Sequence, residues 1–211
     1  INGRGGNASV SIGSDLMVNN GSNLALVGGS SSAARGTNGD GGSADLAVSG
    51  SMTVASSDVS VGGGKGGGRI YGRGGDASVS IGSALTTTDT TFDVVGGNGT
   101  SGYDASGFLA GNGGSAELMA VGAVSLASSE LNVLGGAGGS GYSSGGTQGT
   151  GGNASVSFGS SLTLDNATTM SLVAGNGGSE TYNGYGGNGG NAVMFVDSDL
   201  TMSNGSSLGL V

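Results

Sequence analysis

Apolar residues recur at every second position in short bursts along this chain, and the bursts come in threes. In the stretch GGNASVSIGSDLMVNNGSNLALVGG (5–29), Ala8, Val10 and Ile12 form the first burst, Leu16 and Val18 the second, and Leu24 and Leu26 the third. Serine, asparagine and aspartate fill most of the places between. A period of two marks a strand with one buried face. Polar and glycine-bearing turns separate the bursts and bend the chain. No segment shows a 3.6-residue period.

The same sentence is repeated. A Gly-Gly pair followed one residue later by Ala opens blocks at residues 5, 41, 74, 113, 151 and 189, at spacings of 36, 33, 39, 38 and 38. Counted from that alanine, apolar residues fall at offsets 0, 2, 4, 8 and 10, then at 15 and 17 or 16 and 18. The one-residue difference lies in the second turn, which has five residues in NNGSN, DNATT and SNGSS and four in ASSD, TDTT and ASSE.

Regular repeats of this length, built of strands, predict an all-β fold: a β-solenoid of six rungs, each with three short strands and one glycine-rich loop. The rungs are 5–40, 41–73, 74–112, 113–150, 151–188 and 189–211, in a single array over 1–211. Even offsets point inward, so Val10, Leu46, Val79, Leu118, Val156 and Met194 are expected in one vertical file of the core. Stacking at about 4.8 Å per rung gives a rod about 29 Å long. Each inward side chain contributes ~1.5–3 kcal/mol on burial, while each ordered residue costs ~1–2 kcal/mol. One coil alone therefore loses, and only a stack folds. Alanine always takes the first inward position (8, 44, 77, 116, 154, 192), which predicts a narrow corner.

Rungs one, three and five share ASVSIG or ASVSFG; rungs two, four and six do not. Their outward positions include Met119, Val193 and Phe195. These form either an exposed apolar strip for a neighbouring molecule or a surface that a glycine-rich loop covers, and the covered arrangement is the plainer expectation.

Loops of about 12–17 residues follow each third strand, among them GGGKGGGRIYGR (62–73) and AGNGGSETYNGYGGN (174–188). All five tyrosines, Tyr71, Tyr103, Tyr142, Tyr182 and Tyr185, fall there. Because the loops leave the same corner of successive rungs, the rings are expected in a column. Each ring pins its own loop to the rod, or the column is a binding face for sugars or a protein partner. The glycine runs could also line up as extended polyproline-II-like strands, although their spacing is not strictly every third residue.

Composition narrows the function. Of 211 residues, 52 are glycine, which alone suggests disorder; but 35% are hydrophobic and only 9% charged, the reverse of a disordered chain. The net charge of −9 argues against nucleic acid. The bases Arg4, Arg35, Lys65, Arg69 and Arg73 all precede residue 74. Five bases and four acids make residues 1–73 +1, and ten acids with no base make 74–211 −10. No apolar run spans a bilayer. With Ile1 in place of Met and no signal peptide, the chain reads as a mature segment or an excerpt, with strand edges exposed at both ends.

Chemistry is scarce. Histidine and cysteine are absent, which removes their catalysis and makes zinc unlikely to be a partner. GKGGGR (64–69) lacks the Ser or Thr of a phosphate loop. The acids are scattered, so no enzyme and no cofactor are expected. NGDGGSADL (38–46) echoes a calcium-binding nonapeptide without its repeat, and Asp197 and Asp199 could hold Ca²⁺ at a junction. Six Asn-x-Ser/Thr triplets are near the number chance gives. A flat threonine array for binding ice is missing, since only TTTDTT (86–91) is threonine-rich.

The ASVSIGSDLMVNNGSNLALVGG blocks resemble the repeats of large bacterial exoproteins, the filamentous-haemagglutinin-like adhesins and autotransporter passengers. The GGNGG loops also look like mycobacterial glycine-rich surface repeats. The resemblance implies a right-handed parallel β-helix, export, a bacterial cell-surface location, and a role in adhesion, biofilm or fibre formation. The resulting expectation is a structural extracellular protein that forms a filament by head-to-tail stacking, with itself or longer copies of the array as partner. The alternative is an adhesin that grips surface glycan or protein through the tyrosine loops.

Overall fold

The computed structural model describes residues 3–32, 38–68, 71–102, 110–141, 147–179 and 186–211. Three parallel six-stranded sheets run along one axis. The first sheet stacks Ala8–Ile12, Ala44–Val48, Ala77–Ile81, Ala116–Ala120, Ala154–Phe158 and Ala192–Val196. The second stacks Leu16–Val18, Met52–Ala55, Leu85–Thr88, Val124–Ala127, Leu162–Asp165 and Leu200–Met202. The third stacks Asn23–Val27, Asp58–Gly62, Thr91–Val95, Glu130–Leu134, Thr169–Val173 and Ser207–Leu210. Each burst of the sequence is one strand, and consecutive blocks pair in order: a parallel β-solenoid.

The register follows from the pattern. Val10, Leu46, Val79, Leu118, Val156 and Met194 are successive Cα partners in one file. The four inner members are buried, and Val10 and Met194, in the first and last rungs, are partly buried. A one-residue slip would turn every one of them to water, so burial of this face fixes the pairing. The alanine file Ala8, Ala44, Ala77, Ala116, Ala154 and Ala192 sits where the first and third sheets converge. From Ala44 to Ala154 it is completely buried, and little room remains there for a longer side chain.

The second turn is lined by buried hydroxyls: Ser57, Thr90, Ser129 and Thr168. Three of them donate to strand-end carbonyls, Thr90 Oγ1 to Thr88 O at 2.9 Å, Ser129 Oγ to Ala127 O at 2.8 Å and Thr168 Oγ1 to Asp165 O at 2.6 Å, while Ser57 Oγ accepts from Ser22 N at 3.1 Å. Left-handed backbone makes the bend. The four-residue turns each use one such residue, Ser56, Asp89 or Ser128; the five-residue turns use two, Asn20 with Gly21, Asn166 with Ala167, and Asn204 with Gly205. The extra residue of the longer turn is thus absorbed by one more left-handed step.

Candidate functional site

The glycine runs are not free loops. Where the third sheet ends, the chain continues outward after each of the first five rungs and returns alongside itself, and the outgoing and returning stems form two layers. Gly29, Gly42, Gly64, Gly75, Gly97, Gly114, Gly136, Gly152, Gly175 and Gly190 each donate an N–H to the carbonyl of the member before, starting at Gly6, at 2.7–2.9 Å. Outgoing and returning glycines alternate in this zigzag. At the first rungs the stems also pair directly, Asn38–Gly39 lying antiparallel to Gly67–Gly68.

Each stem repeats every three residues. Gly96 N donates to Leu134 O of the next rung, Gly97 N to Gly75 O across the layers, and Asn98 turns outward. Three residues on, Gly99 N donates to Ala137 O, Thr100 N to Gly72 O, and Ser101 turns outward. Three residues per turn is the period of a polyproline-II helix, which has no internal hydrogen bonds and offers all its amides to neighbours. The layers can touch only without side chains, since a Cβ on Gly97 would lie well under 3.0 Å from Gly64 O. The outward positions reinforce the stack through side-chain oxygens: Asn98 Oδ1 accepts from Ala137 N at 2.9 Å, and Asn112 Oδ1 from Thr150 N at 3.0 Å. The polyproline-II-like arrangement is therefore the one adopted. Thr100, Ala110 and Gln148 are among the residues that interrupt its glycine period in the sequence.

Of the tyrosines, Tyr71 alone lies within the described residues; Tyr103, Tyr142, Tyr182 and Tyr185 lie outside them. Tyr71 is exposed and has a left-handed φ of 53°. That conformation is uncommon for a bulky side chain and stores local backbone strain. Tyr71 and Arg73 border two adjoining clefts. One, of about 360 Å³, is completed by Arg4 and Asp40. The other, of about 210 Å³, is completed by Ala110, Gly111, Asn112, Thr147 and Gln148. Arg4 and Asp40 pair at 3.6 Å, and Asp40 Oδ1 also accepts the Arg73 N–H at 3.1 Å. The Arg73 side chain is exposed and has no carboxylate partner among the described residues.

Among the described residues no glycine stem covers Met119, Val193 and Phe195. They are 39%, 54% and 55% exposed, because the stems leave the corner as their own bundle instead of folding back over the first sheet. Met119 and Phe195 share one outward file but are separated by Ser157, so the apolar strip is interrupted.

A cleft of about 500 Å³ at the second turn is bordered by Asp58, Asp89 and Glu130. Two of these carboxylates are engaged: Asp58 accepts from Thr91 N at 3.2 Å and Glu130 from Asn132 Nδ2 at 2.9 Å. Among the described residues no group of three or more acids is placed to hold a metal, and Asp197 and Asp199 sit exposed at the last rung's first turn. Asp165 caps the same turn column. Ser203 Oγ at 2.7 Å, Asn166 N at 2.8 Å and Asn204 Nδ2 at 2.6 Å all donate to it and hold its carboxyl below the ordinary carboxylate range. Among the described residues no helix is long and apolar enough to cross a membrane.

No protein-family model, curated protein or solved structure matches the chain.

Proposed function

We propose that the protein is a structural, non-enzymatic repeat module of an exported bacterial surface fibre, continued end to end by further rungs of the same kind. The observation that carries this reading is the unchanged register from the first rung to the last. Every rung presents the same donor and acceptor edge and the same inward file, so any rung can receive another. The inward Leu200, Met202 and Leu210 of the last rung are exposed, whereas their counterparts Val124, Leu126 and Val133 are buried beneath the next coil. A coil of a second copy stacked on this edge would cover them. The resemblance to filamentous-haemagglutinin-like repeats supports export, adhesion and a role in biofilm. Negative-stain microscopy and light scattering of the purified 211-residue chain test it. End-to-end rods that lengthen with concentration are expected, and dispersed single rods at every concentration would oppose stacking between copies.

A second reading, an adhesin gripping glycan through the ring-bearing stems, is favoured by the exposure of Tyr71. Glycan-array binding unchanged by Tyr103→Ala with Tyr142→Ala would remove the column from it.

A further inference from the structure

We propose that the Tyr71–Arg73 cleft binds a carboxylated sugar unit. This rests on the adhesin reading and is independent of fibre formation. Charge comes first. The chain carries −9, yet Arg4 and Arg73 sit on one outward file of the returning stems, with Asp40 between them. Asp40 is already paired with Arg4 and capped by the Arg73 amide, which leaves the Arg73 guanidinium to a ligand. A guanidinium offers a planar fork that matches a carboxylate with two parallel hydrogen bonds.

The rest of the cleft selects what carries the carboxylate. Tyr71 presents an exposed ring, a flat apolar surface of the kind that packs against a sugar face, with a hydroxyl at its edge. Beyond Arg73 the border is made of amide and hydroxyl groups, Asn112, Thr147 and Gln148, with Ala110 the one apolar side chain. Asn112 uses its Oδ1 on Thr150 N, and its Nδ2 has no partner among the described residues. Polar hydrogen-bonding groups around one ring suit a polyhydroxylated ligand better than a peptide, whose apolar side chains find no pocket here. The two clefts adjoin along the stack, so a chain of sugars can run from Arg4 past Arg73 toward Thr147. Tyr71 also holds a left-handed φ of 53°, backbone strain of the kind that clusters at ligand sites.

Calorimetric titration of the whole chain with an oligogalacturonide, a length-matched neutral galactan oligosaccharide and an oligoglutamate peptide tests the assignment. The oligogalacturonide is expected to bind and the neutral sugar not, with affinity falling as salt rises. Arg73→Gln should weaken binding roughly tenfold or more, Tyr71→Ala should weaken it as well, and Arg73→Lys should fall between Arg73→Gln and the parent. Lys65→Gln, on the opposite layer, should change nothing. The Arg73 variants keep the backbone bonds this residue makes, and their melting curves verify the fold. Equal binding of neutral and acidic sugars, or of oligoglutamate, would overturn the proposal. If oligogalacturonide binding survives Arg73→Gln and Tyr71→Ala, this cleft falls and the adhesin reading stands with another site. If no glycan binds, both fall.

Discussion

The Gly114 amide donates to the Gly97 carbonyl at 2.8 Å, although one residue leaves the solenoid and the other returns to it. That bond and its equivalents join the two stem layers into a second ladder beside the β-sheets. Glycine is required there by the close approach of backbones. Gly97→Ala should therefore destabilise by about 1–3 kcal/mol, the range for forcing extra atoms into packed structure. Gly62 provides the contrast: an added Cβ there meets no atom within 4 Å, and Gly62→Ala should be neutral or stabilising by up to about 1 kcal/mol. Thermal melts of the two variants decide it, and equal losses would contradict the close-packing argument.

Thr87 faces the core between Val54 and Leu126, and its hydroxyl is buried without a partner among the described residues. An unpaired buried hydroxyl costs about 1–3 kcal/mol. Thr87→Val keeps the shape and should raise stability by about 1 kcal/mol or more. Thr90→Val, which removes a hydroxyl bonded to Thr88 O, should lower it. Denaturant titration of both separates the two cases.

Ala167 has a φ of 59° at the place where the other five-residue turns use Gly21 and Gly205. A left-handed residue with a Cβ costs roughly 1–2 kcal/mol. Ala167→Gly should recover about 1 kcal/mol by relieving it, less the extra entropy that glycine brings to the unfolded chain. An unchanged or lower melting temperature would show that this turn is not strained.

Asp165 makes one contribution to pH dependence. Its folded-state pKa lies below the ordinary 3.8 because Ser203, Asn166 and Asn204 donate to the ionised carboxylate. The stabilisation is therefore fully present above that value and is lost as pH falls through the lower folded value. Asp165→Asn should flatten the melting temperature's dependence on pH below about 4, and NMR titration should place the Asp165 midpoint below that of a free aspartate. A midpoint at or above the free value would contradict it.

The strands were legible because a period of two is written in side chains: Val79, Ile81 and Leu85 alternate with Ser78, Ser80 and Ala84, and burial of one face then fixes the register. The turn column was legible in length, and its left-handed residues in part: Asn20–Gly21, Asn204–Gly205 and Asp89 are usual choices for such backbone, whereas Ser56 and Ser128 are not. The glycine bundle was half legible. A residue without a side chain carries no inward or outward mark, so its period shows only in every third residue, such as Asn98 and Ser101, and Thr100 interrupts even that. The exposure of Met119 and Phe195 was one of two arrangements the sequence left open, and the ordered glycine bundle standing off the corner decides between them. The Tyr71–Arg73 cleft had a sequence signal in the basic residues clustered before residue 74, but the pairing of Arg4 with Asp40, which leaves Arg73 without a carboxylate partner among the described residues, depends on the rung register.

Amide hydrogen exchange tests the central claim, that the glycine stems are an ordered ladder continuous with the β-stack. Gly75, Gly97, Gly114 and Gly136 are predicted to exchange as slowly as the strand amides of Leu118 and Val124. Exchange of these glycines at the rate of an unstructured loop, while the strands stay protected, would contradict it.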